Sequence, residues 1–272
     1  MWVPAFITAG LSDKGTEMKI LRALLAGAAL LVGTATIAPA AELYRGSIKD
    51  GYVPAPQYMS GPASWYVRLD TGYAMFADPA LTESRRFDFH STGIDSTWSI
   101  GAGVGYYFSR VVRGDITWDH RFEADVEGTA GSAAGIIPNG TRSFGITSDV
   151  VLANVYYDFD RGGRINPYIG AGLGIAYHKT SSGTINDPCG GGCSGVVASG
   201  TEWSVAGALM TGVTFNIRDR MHLDAGYRYL YMGDAKTGLV TGTCPGACTP
   251  GEIDMKDLSS HEFRLGLRYD IR

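Results

Sequence analysis

From Trp65 onward, apolar and polar residues alternate with a period of two, the period of a β-strand whose two faces meet different surroundings. Eight segments carry the pattern: 65–75, 97–108, 112–122, 149–159, 167–177, 202–217, 222–231 and 261–271. In the first, Trp65, Val67, Leu69, Thr71 and Tyr73 share one face, and Tyr66, Arg68, Asp70 and Gly72 the other. In the last, Phe263, Leu265, Leu267, Tyr269 and Ile271 oppose Glu262, Arg264, Gly266, Arg268 and Asp270. Val150 and Leu152 blur the start of the fourth. Three connections are short and polar, while 76–96, 123–147, 178–201 and 232–260 are long and fall on one side of an up-and-down topology. The pattern predicts an all-β fold, an eight-stranded antiparallel up-and-down transmembrane β-barrel whose long connections are surface loops.

A soluble barrel shares this alternation, so chemistry must tell inside from outside. The polar faces hold Arg68, Arg113, Arg121, Arg228, Arg264 and Arg268 against Asp70, Asp115, Asp119, Asp158, Asp224, Glu262 and Asp270. On the apolar faces, aromatic residues gather at both strand ends. Trp65, Tyr106, Phe108, Tyr157, Phe159, Phe215 and Tyr269 are at one, and Tyr73, Trp98, Trp118, Phe122, Tyr177, Trp203, Tyr229 and Phe263 at the other. Two aromatic belts around an aliphatic band are what a bilayer selects, so the charged face is expected to line the lumen. An eight-stranded tube is only just wide enough for its own side chains, and the expectation is an ion-pair network that seals it. The alternative is a gate or narrow path for small solutes.

Composition changes the picture little. Glycine, at 38 of 272 residues, disfavours helix, and a net charge of −4 without a basic run gives no footprint for nucleic acid. Residues 18–41 read as a secretory signal peptide: Met18-Lys19, a Leu/Ala centre, and small residues leading to cleavage after Ala40 or Ala41. Residues 1–17 then read as an upstream extension, 42–63 as a periplasmic leader rich in Pro and Gly, and 64–272 as the barrel. Export favours disulfides. The four cysteines lie in two loops, Cys189-x-x-x-Cys193 and Cys244-x-x-x-Cys248, and two local bridges are expected first, cross-loop pairing second, a four-thiolate zinc site third.

Other motifs have plain readings. Gly101-Ala102-Gly103-Val104-Gly105 and Gly170-Ala171-Gly172-Leu173-Gly174 resemble dinucleotide loops, yet neither opens a helix, and alternate glycine clears one side of a strand. Ser259 and His261 are expected on the outward face near the rim, as is His120, while Glu262 points inward and is not placed to orient a base. These read as belt and loop residues; no cofactor or metal is implied. Asn139-Gly140-Thr141 matches a glycosylation triplet that carries little weight in a bacterial envelope.

The segments 65–73 (Trp-Tyr-Val-Arg-Leu-Asp-Thr-Gly-Tyr), 166–174 (Asn-Pro-Tyr-Ile-Gly-Ala-Gly-Leu-Gly) and 226–229 (Gly-Tyr-Arg-Tyr) resemble the small outer-membrane β-barrel family of alphaproteobacteria, which is similar in architecture to the OmpA-like transmembrane domain. The closing strand resembles the family's assembly signal, with Arg264, Gly266, Tyr269 and Ile271 at the matching positions. The resemblance implies a bacterial outer-membrane location, with lipid, lipopolysaccharide, periplasmic chaperones and the barrel-assembly machinery as partners. It implies an abundant envelope protein and names no activity; the sealed tube and the absence of a catalytic set in the sequence point to an envelope-integrity or surface-interaction role, its surface ligand unnamed, rather than an enzyme, with the narrow channel and a lipid A-modifying hydrolase as the alternatives.

Overall fold

The computed structural model describes residues 64–83, 88–131, 140–159, 163–187, 193–242 and 251–271, which form strands and turns and no helix. The expected extension, signal peptide with Ala40 and Ala41, and leader lie outside the described residues, as do Cys189, Cys244 and Cys248. The strands are β1 (Trp65–Phe76), β2 (Ala80–Glu83), β3 (Asp88–Ile94), β4 (Thr97–Tyr107), β5 (Val112–Gly131), β6 (Gly140–Asp158), β7 (Ile165–Thr180), β8 (Gly183–Asp187), β9 (Cys193–Val197), β10 (Gly200–Arg218), β11 (Met221–Lys236), β12 (Val240–Gly242) and β13 (Ile253–Ile271).

Eight of them close a ring. Antiparallel ladders run β1–β4–β5–β6–β7–β10–β11–β13, and β13 returns to β1 from Trp65↔Ile271 to Phe76↔Ser260. Closure leaves no edge, and every backbone donor in this zone has a neighbour strand, the condition for crossing hydrocarbon. In β1 the burial alternates without a break from Trp65 to Ala74, odd positions out and even positions in. Outside stand bare aliphatic side chains, with Leu173 72% and Val205 71% exposed. Aromatic pairs flank them at both ends: Trp65 with Tyr106 and Tyr157 with Phe159 at one, Tyr73 with Trp98 and Tyr177 with Trp203 at the other, centroids 4.7–5.3 Å apart.

The long connections differ from the expected loops. They continue the same eight strand paths outward, and the ladders close a second time: β13–β2–β3–β5–β6–β8–β9–β12, with Val240 bridging Gly251 just before β13. This outer ring has the opposite polarity. Leu81, Val126, Phe144, Ile146, Ile185, Val197, Val240, Ile253, Met255 and Leu258 are buried inside it, while Thr82, Asp125, Glu127, Thr184, Asn186, Lys236 and Lys256 are exposed. Above the bilayer water surrounds the wall, so the apolar side chains turn inward.

At the junction the inward parity is reset on most paths, though not on β6, whose even positions face inward from Arg142 to Asp158. On β5, residues 113–121 face in at odd positions and 124–128 at even ones, with the ladder shifting between Arg121 and Ala124. β11 and β13 shift beside Gly233 (φ 69°) and Asp257 (φ 58°). Four of the other paths break, at Ala77–Pro79, Asp95–Ser96, Ser181–Ser182 and Ala198–Ser199, and β6 runs through unbroken. These bulges and breaks hid the outer ring from a period-two reading. β5 runs to Gly131 rather than 122, β6 starts at Gly140 rather than 149, and β13 starts at Ile253 rather than 261. Val150 and Leu152, anomalous in sequence, belong to the apolar core where it begins.

Candidate functional site: the charged lumen

Thirteen lumen residues were expected to form ion pairs, and the folded register divides them into one long chain, two separate pairs and one outlier. The chain alternates in sign along its whole length. Asp115 accepts from Arg68 at 2.9 Å; Arg68 holds Asp70 at 2.7 Å; Asp70 lies 3.5 Å from Arg264; Arg264 reaches Asp119 at 2.6 Å. Asp119 accepts from Arg228 at 2.8 Å, and Glu262 takes Arg228 on Oε2 and Arg121 on Oε1, the latter at 2.7 Å. Arg68 donates from two guanidinium nitrogens to the two oxygens of Asp70, a filled fork, and Arg121 donates from two nitrogens to the single Oε1 of Glu262. These eight side chains come from β1, β5, β11 and β13, half the wall.

The two pairs sit elsewhere in the tube. Arg113 contacts Asp158 at 3.1 Å and lies over the rings of Tyr156, 4.0 Å away, and Tyr168, 5.0 Å away. Arg268 contacts Asp224 at 3.2 Å and faces Tyr66 and Tyr107. Asp270 stands apart at the mouth nearer the short turns, where Tyr107 donates to one oxygen and His222 meets the other, each at 3.0 Å.

Neutral partners complete the shell, and the sequence reading did not single them out. Tyr66 donates to Asp115 at 3.0 Å, Asn154 to its other oxygen at 2.8 Å, and Arg68 reaches the Tyr156 hydroxyl at 3.1 Å. Their signal was available, since all three stand on inward faces, but polar neutral residues do not announce themselves as network members. The alternate glycines also gain a reason. A Cβ at Gly266 would strike the Asp70 carboxylate, and one at Gly103 would sit 3.1 Å from Cγ of Arg68, so glycine makes room for the long arginine arms.

Where the lumen turns apolar, a buried pair marks the change. Ser148 and His178 are partners on β6 and β7, with Oγ 2.8 Å from Nδ1, and Nε2 lies 2.9 Å from the carbonyl oxygen of Met232. A carbonyl only accepts, so Nε2 carries the proton and Nδ1 accepts from the serine. The sequence reading had put His178 at the start of a loop.

The outward candidates are held differently. His261 pairs with the hydroxyl of Tyr227, and His120 with Asp149 at 2.9 Å. Ser259 is buried opposite Tyr231, and Glu262 faces the lumen. On β13, Arg264 and Gly266 point inward, and Tyr269 and Ile271 outward. Among the described residues no three His, Cys, Asp or Glu side chains converge to hold a metal.

Known proteins share this plan. An uncharacterized protein of Brucella abortus (strain 2308) is 31% identical over 256 residues, covering 81% of this chain and 89% of its own. A putative adhesin of Rickettsia massiliae (strain Mtu5) is 28% identical over 211 residues, covering 76% of this chain and 88% of its own. Among solved structures, the outer membrane protein OprG of Pseudomonas aeruginosa aligns with a TM-score of 0.50 at 14% identity, over 76% of this chain and 96% of that one, a likeness of fold alone. The family described as "Outer membrane protein beta-barrel domain" matches residues 28–270. The chain therefore belongs to that family, and it is a β-barrel of the bacterial outer membrane.

Proposed function

We propose that this protein is a structural or surface-interaction component of the outer membrane, with a closed lumen and no catalytic activity. The observation that carries the reading is the alternating chain from Asp115 to Arg121, side chains at most a tenth exposed, lying beneath an apolar outer core. An ion entering must break pairs in a low-dielectric tube and then cross a dry segment, and both steps cost several kcal/mol. That weighs against the narrow-channel alternative.

With the tube closed, contact falls to the outer ring, which the usual arrangement of short periplasmic turns and long outer connections puts on the cell surface. The description of the Rickettsia massiliae relative as a putative adhesin favours the surface-interaction form of the proposal. Lipid and lipopolysaccharide contact the aromatic belts in this reading, and periplasmic chaperones and the assembly machinery read the closing strand. Signal-peptide export supplies the barrel to them. The outward histidines do not support hydrolysis, because His261 is engaged by Tyr227 rather than by a serine.

Reconstitution into planar bilayers tests the closed lumen. The expected record is a membrane no more conductive than a protein-free control, and a large steady open channel overturns the proposal. Lipid A mass spectra from cells with and without the gene test the catalytic part. An acyl change that is abolished by His261→Ala would overturn it.

A further inference from the structure

We propose that the barrel rim at the short turns seats anionic phospholipid headgroups, with Arg110, Arg164, Arg218 and Arg220 holding phosphates of the periplasmic leaflet. The chemistry is read from the rim itself, and the choice of leaflet rests on the orientation proposed above. At this end the turns β4–β5, β6–β7 and β10–β11 fill three of the four gaps around the ring, and each carries arginine. Arg110, Arg164 and Arg218 are exposed, and Arg220 is half-buried.

Lack of a protein partner sets these arginines apart. Each of the six lumen arginines meets a carboxylate. The four rim guanidinium groups make no hydrogen bond, ion pair or ring contact among the described residues. Asp219, the one acid among the described residues of these turns, lies between Arg218 and Arg220 in sequence and pairs with neither. The basic surface is confined to this rim. On the outer ring the three exposed lysines, Lys179, Lys236 and Lys256, are outnumbered by exposed acids, with Glu123, Asp125 and Glu127 on β5 alone.

The height of the arginines matches a headgroup layer. Arg218 directly follows Ile217, Arg164 directly precedes Ile165, and Arg110 comes two residues after Phe108, and all three apolar side chains are exposed on the lipid-facing side. At about 3.3 Å per residue, the arginine backbones lie within roughly 7 Å of the last apolar residue. A headgroup layer is about that thick, half the difference between roughly 30 Å of hydrocarbon and about 40–45 Å of whole bilayer.

The backbone beneath the arginines is fixed. Ser109 Oγ accepts from the amides of Val111 and Val112, the Arg164 carbonyl from Asn216 at 3.0 Å, and the Arg220 carbonyl from Asp270 at 3.0 Å. Binding therefore has only side chains to order. A guanidinium offers phosphate two parallel donors, and a headgroup without a compensating amine leaves the attraction uncancelled.

Electron spin resonance of spin-labelled lipids tests the proposal, with protein purified from outer membranes and reconstituted in phosphatidylcholine vesicles. It compares how strongly the barrel restricts labelled phosphatidylglycerol and labelled phosphatidylcholine. The expected preference for phosphatidylglycerol is about threefold, from about fivefold at the rim and none at the other end. It should fall towards one at about 1 M salt. Arg110→Gln, Arg164→Gln, Arg218→Gln and Arg220→Gln together should abolish it with heat-modifiable migration unchanged. If that variant does not fold, Arg110→Gln with Arg164→Gln, and Arg218→Gln with Arg220→Gln, should each remove about half of it. Lys179→Gln, Lys236→Gln and Lys256→Gln together should leave it intact.

Equal restriction of the two lipids, a preference that survives loss of the arginines, or one lost with the lysines overturns the proposal. So does arginine-dependent co-sedimentation with purified cell-wall sacculi in the absence of lipid preference, which assigns the rim to the cell wall instead. Arg110→Cys separates leaflet from chemistry: on intact cells an impermeant maleimide should add no label over the parent until the outer membrane is permeabilised. Added label on intact cells overturns the leaflet assignment and the orientation beneath it, while the spin-label result judges the rim chemistry by itself.

Discussion

Arg264 on β13 donates to Asp119 on β5 at 2.6 Å, although β1 and β4 stand between their strands in the wall. The contact therefore spans the lumen. Asp119 also accepts from Arg228 on β11, so one carboxylate ties two stretches of wall to a third.

Glu262 is the matching acid one step along, shared by Arg121 and Arg228 with all three side chains fully buried. Glu262→Gln leaves two guanidinium groups short of their counter-charge, and the expected cost is about 3–5 kcal/mol. Urea unfolding in lipid vesicles measures it, and adding Arg121→Met should recover part of the loss. A midpoint unchanged by Glu262→Gln would mean the chain contributes nothing to stability.

Gly103 faces the lumen where a Cβ would lie 2.9 Å from the Ile116 carbonyl oxygen and 3.1 Å from Arg68 Cγ. Gly103→Ala is expected to destabilise the barrel by about 1–3 kcal/mol, because backbone cannot step aside. Gly93, with nothing within 4 Å of its Cβ position, is the control, and Gly93→Ala should change stability by less than about 0.5 kcal/mol. Heat-modifiable migration on gels ranks the two.

Polarity inversion predicts opposite tolerance at two exposed positions. Leu173, 72% exposed in the aliphatic band, should not accept arginine: Leu173→Arg is expected to cost about 2–4 kcal/mol near mid-membrane. Thr184 on β8 is exposed outside the outer ring, and Thr184→Arg should be near neutral. Equal losses at both sites would place the outer ring in lipid as well.

Ile253 is fully buried in the outer core. Ile253→Ala should cost about 2–5 kcal/mol through the cavity it leaves. Because the ion-pair chain beneath that core is intact in this variant, bilayer recordings should still match the parent, with the barrel folded by circular dichroism.

The sequence by itself determined the eight membrane strands and which face of each meets lipid. Alternation is a local property: once Trp65, Val67 and Leu69 share a face, no distant residue is needed to know that Arg68 and Asp70 oppose them. The thirteen charged lumen residues were legible for the same reason. Their partnerships were not, because whether Arg264 meets Asp119 or Asp224 depends on strand tilt and closure, which no single strand encodes. The outer ring was hidden for a second local reason. Its strands β2, β8, β9 and β12 are three to five residues long, and the shifts near Phe122, Gly233 and Asp257 reset the parity where a period would be counted. Only the closed ladders show that Val126, Phe144 and Ile253 share an interior. Hydrocarbon around one half of the wall and water around the other then turn the same alternation inside out.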